Sequence, residues 1–148
     1  MTILNPDKHV RIGYIAALQA ATGLKVWHRR IPKNVTVPAK YIILDTQSKN
    51  ETVNAKNNEE RETYFEWLVT LDVNIYNVNQ LGYSNAEAVD DIEQIIISVI
   101  RQGINIPNFN NKNTQIIESQ DLSADTTTQS IDRKLIKFEH WLNRSEII

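Results

Sequence analysis

The run Thr63–Tyr76 constrains the fold of this chain more than any other segment. In it Trp67, Val69, Leu71, Val73 and Ile75 alternate with Leu68, Thr70, Asp72, Asn74 and Tyr76. A β-strand turns successive side chains to opposite faces, so the alternation predicts one long strand with a buried face and a mostly polar one. At roughly 3.3 Å per residue such a strand is ~45 Å long, more than a small core needs. Part of it is expected to run beyond the domain or to pair with a neighbouring chain.

The segments around this strand predict the rest of the fold. Pro6 and Asp7 supply a helix start and Gly23 a stop, and Val10, Tyr14, Ala17, Leu18 and Ala21 recur between them at helical spacing. A helix over 7–22 follows. Leu24–Ile31 is β-favouring and closed by Pro32, and Lys40–Thr46 is a compact apolar run expected to be a central strand. Gln47–Glu62 is almost wholly polar and reads as an extended loop or arm, or a projecting hairpin. A second helix is expected from the capping box Ser84-Asn85-Ala86-Glu87, with Val89, Ile92, Ile96 and Val99 as its buried stripe, widened by Ile95 and Ile100. Gly103 ends it. After an Asn-rich polar loop over 105–113 come a short strand at Gln115–Gln120, a Thr-rich turn, and a last strand over Ile131–Leu142. The expected class is α+β: one domain spanning 1–148, with a mixed or antiparallel sheet of about four to five strands. Two helices cover one face of that sheet, and the polar arm 47–62 protrudes.

Composition removes several kinds of chemistry. The 148 residues include no cysteine, so there is no disulfide framework, thiolate metal site or thiol nucleophile. A net charge of -2 gives no global basic field to draw nucleic acid. The start MTILNPDKHV lacks the pattern of a signal peptide, and the longest apolar stretch, Ile92–Ile100, falls far short of a membrane span. The expectation is a soluble protein with no membrane partner. His9, His28 and His140 stand in no ligand spacing and read as exposed or partly packed residues. No Gly-rich phosphate loop and no G-x-S-x-G elbow is present, so no cofactor and no nucleophile elbow are expected.

One enzymatic alternative rests on Asp45, at the end of an apolar run, with Glu59, Glu60, Glu62 and Glu66 following. Metal-dependent nucleases hold magnesium with carboxylates at strand ends, but a solvated charged face is the simpler reading of such a charge run. Two basic groups are Lys25, His28, Arg29, Arg30 and Lys33, then Arg133, Lys134, Lys137 and Arg144. On a continuous strand Lys25 and Arg29 would share one side and His28 and Arg30 the other. Lys25, Arg29, Arg30 and Lys49, with the acidic Glu59, Glu60 and Glu62, are therefore candidate inter-subunit or channel contacts. Trp27, Trp67 and Trp141 read as core or interface anchors.

The order of these elements resembles the tail-terminator, or tail-completion, proteins of long-tailed bacteriophages. The residues that carry the resemblance run over nearly the whole chain. They are the helix VRIGYIAALQAATG, the basic and aromatic LKVWHRRIP, and Pro38, Tyr41, Ile42 and Leu44 of a P-x-x-Y-I-x-L strand. YFEWLVTLDVNIYN, NAEAVDDIEQIIISVIRQG and KLIKFEHWLNR follow. The resemblance implies a structural virion protein, not an enzyme, that forms a homo-oligomeric ring, commonly a hexamer. Such a ring caps the tail tube at the head–tail junction while genomic DNA passes through its channel, and it is assembled in the host cytoplasm. The long arm and the Asn-rich segment after Gly103 fit equally a neck-ring or head-completion protein that binds the portal adaptor.

Overall fold

The computed structural model describes residues 4–52 and 62–147. The elements follow in the order α1 (Pro6–Thr22), β1 (Val26–His28), β2 (Lys40–Glu51), β3 (Glu62–Gln80), α2 (Ala86–Arg101), β4 (Asn110–Asp121), β5 (Ala124–Asp125) and β6 (Gln129–Ile147). The strands form one six-stranded sheet in the order β1-β2-β3-β6-β4, with the two-residue β5 also paired to β6. β1 and β2 are parallel and the other pairs are antiparallel. The class is therefore α+β with a mixed sheet, as the sequence implies.

The long strand is longer than its alternation suggested, and so is its partner. β3 and β6 are 19 residues each and pair from Glu62↔Ile147 through Gln80↔Gln129 without a register shift. Val69, Leu71, Val73 and Ile75 of β3 lie on one face with Ile136, Phe138 and Leu142 of β6 and Ile42 and Leu44 of β2, all buried. α1 packs over β1, β2 and β3 on this face, and α2 over β3, β6 and β4. The buried stripe of α2 is Val89, Ile92, Ile96 and Ile100; Val99 is half-buried and Ile95 is exposed. Each fully buried Val or Ile of that stripe contributes roughly 1.5–3 kcal/mol.

Three expectations about segments are corrected. Gln47–Glu51 is not loop but part of a hairpin, the other form the sequence allows: β2 runs on to Glu51, pairing antiparallel with β3 from Gln47↔Leu71 through Glu51↔Trp67 after a bulge at Asp45–Thr46. This polar half of β2 is held by the start of α1. Lys49 Nζ lies 2.7 Å from Asp7 Oδ2, Gln47 Nε2 donates to the Asp7 carbonyl at 3.2 Å, and Arg11 donates to Gln47 Oε1 at 2.7 Å. The remainder of the expected arm, residues 53–61, lies outside the described residues. The stretch 105–113 is not an open polar loop either, because Ile104, Ile106 and Phe109 are buried and Asn110–Asn113 belong to β4. A Cβ on Gly13 would meet the Asn105 carbonyl oxygen at 2.6 Å, so this segment seats on α1 only because residue 13 lacks one.

The third correction concerns the start of α2. The cap is Asn85, whose side chain accepts the Ala88 N–H at 3.3 Å, not Ser84. Ser84 instead donates to Asp132 Oδ1 at 2.7 Å, while Asp132 Oδ2 accepts the Asn85 N–H at 2.9 Å and amide protons from Asn77 and Asn79. Burial pushes the Asp132 carboxyl up, but these donors outweigh it and hold its pKa below the usual value. A charged group on β6 thus fixes where α2 begins.

His140 does the same for α1. It is wholly buried, not exposed or partly packed, and its Nε2 meets the Tyr14 hydroxyl. Its Nδ1 lies 3.2 Å from Asn111 Oδ1 and 3.1 Å from Thr114 Oγ1. A carboxamide oxygen only accepts, so the proton sits on Nδ1 and Tyr14 donates to Nε2. This neutral imidazole joins α1, β6 and β4. Burial lowers its pKa to about 4.

That value sets a pH dependence. In the unfolded chain the imidazole takes up a proton near pH 6.5, whereas in the folded chain it stays neutral down to about 4. Stability is therefore full above 6.5 and is lost as pH falls towards 4, by roughly 3 kcal/mol at the lower end. Urea unfolding across this range should show that slope, and His140→Gln, though less stable at pH 7, should flatten it. An equal slope in wild type and variant would contradict the assignment.

Candidate interaction surfaces

The face of the sheet opposite the helices is where chemistry-bearing side chains gather. The register sets Tyr41 of β2 beside Tyr76 of β3, and Tyr76 beside Arg133 of β6. The two tyrosine rings stack with centroids 5.0 Å apart and planes at 12°. Trp27 of β1 closes on Tyr41 edge-on at 6.0 Å, and the Arg133 guanidinium lies 5.2 Å from the Tyr76 centroid. Arg133 is held there by Asn74, whose Oδ1 accepts from Nη2 at 2.8 Å and from Nε at 3.2 Å. Four strands thus carry one continuous aromatic and cationic band. Burial raises the Tyr41 pKa, with the Tyr76 hydroxyl adding to it and Arg133 opposing it.

Below the band Asp72 is only 8% exposed, its Oδ1 3.9 Å from Lys137 Nζ. Burial raises its pKa, Lys137 opposes, and Asp45 and Glu118 raise it further. Further along, Trp141 is exposed, donates Nε1–H to Glu66 Oε2 at 2.9 Å, and carries Lys112 Nζ 5.6 Å above its ring. Charges of both signs alternate across this face. It offers no uniform field for a phosphate backbone.

The residues singled out from the sequence are dispersed. Lys25, Arg29 and Arg30 are exposed around β1, at one edge of the sheet. The expected strand Leu24–Ile31 stops at His28, because Arg29 turns into the left-handed region at φ 68° while its N–H bonds the Leu44 carbonyl at 2.8 Å. The predicted alternation of Arg29 and Arg30 therefore does not hold. Lys49 is engaged with Asp7. Glu62 opens β3 opposite Ile147, and Glu59 and Glu60 lie outside the described residues. Asp45 is exposed at the β2 bulge, whereas Glu66 is buried against Trp141 and Thr52. Of the carboxylates a nuclease would need, the two with described side chains, Asp45 and Glu66, stand at separate places along β2 and β3. No group of three His, Asp or Glu side chains able to hold a metal ion occurs among the described residues.

Sequence reasoning missed the Tyr41–Tyr76–Arg133 band. Each member sits on the outward parity of its own strand, which was visible. Their adjacency depends on pairings between segments up to 57 residues apart, and no local signal encodes it.

Comparison with solved structures adds a likeness of fold. A chain of the virion of a native gene transfer agent particle has the same fold, with a TM-score of 0.61 and 9% sequence identity over 93% of this chain and 91% of that one. The likeness covers both helices and the sheet and shows a shared fold. A second solved chain, 8% identical over 90% of this chain and 94% of its own, has a TM-score of 0.45 and carries no argument. No protein-family model and no curated protein sequence matches the chain.

Replacing Arg133 by Lys keeps the charge but loses the paired N–H donors on Asn74 and the planar stack on Tyr76. Arg133→Lys should therefore cost about 1–2 kcal/mol in urea unfolding while leaving the circular dichroism spectrum unchanged. A change within about 0.3 kcal/mol would show that the band contributes nothing to stability.

Proposed function

We propose that the protein is a structural component of a phage-like virion, a homo-oligomeric ring at the head–tail junction that ends the tail tube or joins it to the neck. The observation that carries this reading is the end-to-end fold likeness to a chain of a gene transfer agent virion. The architecture suits the task. A 19-pair β-ribbon gives a stiff body, and half-buried aromatic and cationic side chains on the open sheet face, with exposed charges at its edges, give interfaces. In this reading the proton-transfer and metal chemistry of an enzyme is not needed, and the buried His140 and Asp132 are structural.

Within the ring, DNA passes through the channel, and Lys25, Arg29 and Arg30 face a neighbour or the channel wall. Glu59, Glu60 and Glu62 are proposed contacts to a neighbouring copy, the adjoining tube or the portal-adaptor ring. The test is assembly itself. Native mass spectrometry of the purified chain should give one dominant species at a multiple of 17.1 kDa, six copies being the expected number, and negative-stain images should show closed rings. A species that stays monomeric at every concentration would overturn the reading. So would magnesium-dependent DNA cleavage lost in Asp45→Ala.

A further inference from the structure

The two lateral edges of the sheet carry opposite charge. From Lys8 to Leu44 the chain holds seven lysines and arginines and no acid. Four of these, Lys25, Arg29, Arg30 and Lys33, are exposed around β1, and none has an ion pair among the described residues. From Glu87 to Asp125 there are seven acids against Arg101 and Lys112. This stretch builds the other edge, because β4 is the last strand and α2 is tied to it. Glu93 of α2 accepts Ser119 Oγ of β4 at 2.6 Å and lies 3.1 Å from Lys134 of β6. Lys134 also takes Asp90 at 2.6 Å, which leaves Glu87, Asp91 and Asp125 exposed with no ion pair among the described residues.

The two edges cannot neutralise each other. Four strand spacings separate β1 from β4, ~19 Å, about two Debye lengths at physiological salt. The β1 edge also has apolar side chains beside its charges: Val35 and Val37, after β1, are 42% and 50% exposed. Charges of opposite sign on opposite edges of one chain are the two halves of a head-to-tail contact.

We infer that the β1 edge of one copy docks on the α2–β4 edge of the next, so that a second copy of this chain is the occupant of both surfaces. This rests on the ring reading and gives it a direction. The interface is heterologous, with Arg29, Arg30, Lys25 and Lys33 set against Glu87 and Asp125 of the next copy. It also assigns the acidic half of the contact to α2 and β5, not to the segment holding Glu59 and Glu60.

Charge swapping tests it. Variant one carries Arg29→Glu and Arg30→Glu and has two acidic edges; variant two carries Glu87→Lys and Asp125→Lys and has two basic edges. Each alone should stay monomeric, with the association constant lowered about tenfold or more. An equimolar mixture should reassemble, because each acidic edge then meets a basic one, and mass spectrometry should show equal numbers of the two variants. Circular dichroism checks that both are folded, and Lys25→Glu with Lys33→Glu serves as a second basic-edge variant. Rings formed by either variant alone as readily as by wild type, or a mixture that stays monomeric while wild type assembles, would overturn the edge pairing and leave the ring standing. A wild type that never associates would remove both.

Discussion

The pairing of β3 with β6 is the constraint on which the rest of this structure depends. Because side chains alternate with a period of two, a slip of one residue would move Leu71, Val73 and Ile75 to the open face and bring Asp72 and Asn74 under the helices. Burying Asp72 there without Lys137 would cost several kcal/mol, so one register is strongly favoured. The same register sets two polar anchors on the helix side of β6. Asp132 receives the start of α2 and His140 receives the hydroxyl of Tyr14 on α1. Between these anchors Lys134 meets Asp90 and Glu93 of α2, and Ile136 and Phe138 are fully buried. Helix placement is thus a consequence of strand pairing, transmitted through two buried polar residues that have few alternative partners.

How much of this was legible in the sequence follows from the range of each interaction. The apolar stripes of both helices and the alternation of the long strand are local periodicities, and they gave class, element order and the layer arrangement. What failed was decided at a distance. Gln47 and Lys49 look like loop residues because they are polar, yet they pair with Leu71 and Val69 and are held by Asp7 and Arg11 of α1. Ser84 has the spacing of a capping residue, but a carboxylate 48 residues away claims its hydroxyl and leaves the cap to Asn85. His140 looks like an ordinary surface histidine in a charged stretch and is instead sealed between α1 and β4. For the candidate surfaces, the basic residues near β1 were found directly from composition, whereas the Tyr41–Tyr76–Arg133 band needed the sheet order.

The arrangement also accounts for how this chain keeps its edges. β4 is polar over nearly its whole length and is broken by bulges near Asn111–Asn113 and Ile116–Glu118, while β1 is only three residues long. Short, bulged and charged edges resist indiscriminate strand addition. Opposite charge at the two edges admits one orientation of approach and repels the two symmetric ones. The proposed ring would need that selectivity, because a heterologous contact closes only if every copy meets the next in the same way.

Electron cryomicroscopy of the purified assembly tests the central claim most directly, since it reads stoichiometry and contact surfaces in one map. The account predicts a closed ring in which every subunit contact places the β1 side of one copy, with Arg29 and Arg30, against α2 and β5 of the next. Two-fold dimers joined through like edges, or a closed ring whose contacts leave both edges in solvent, would contradict it.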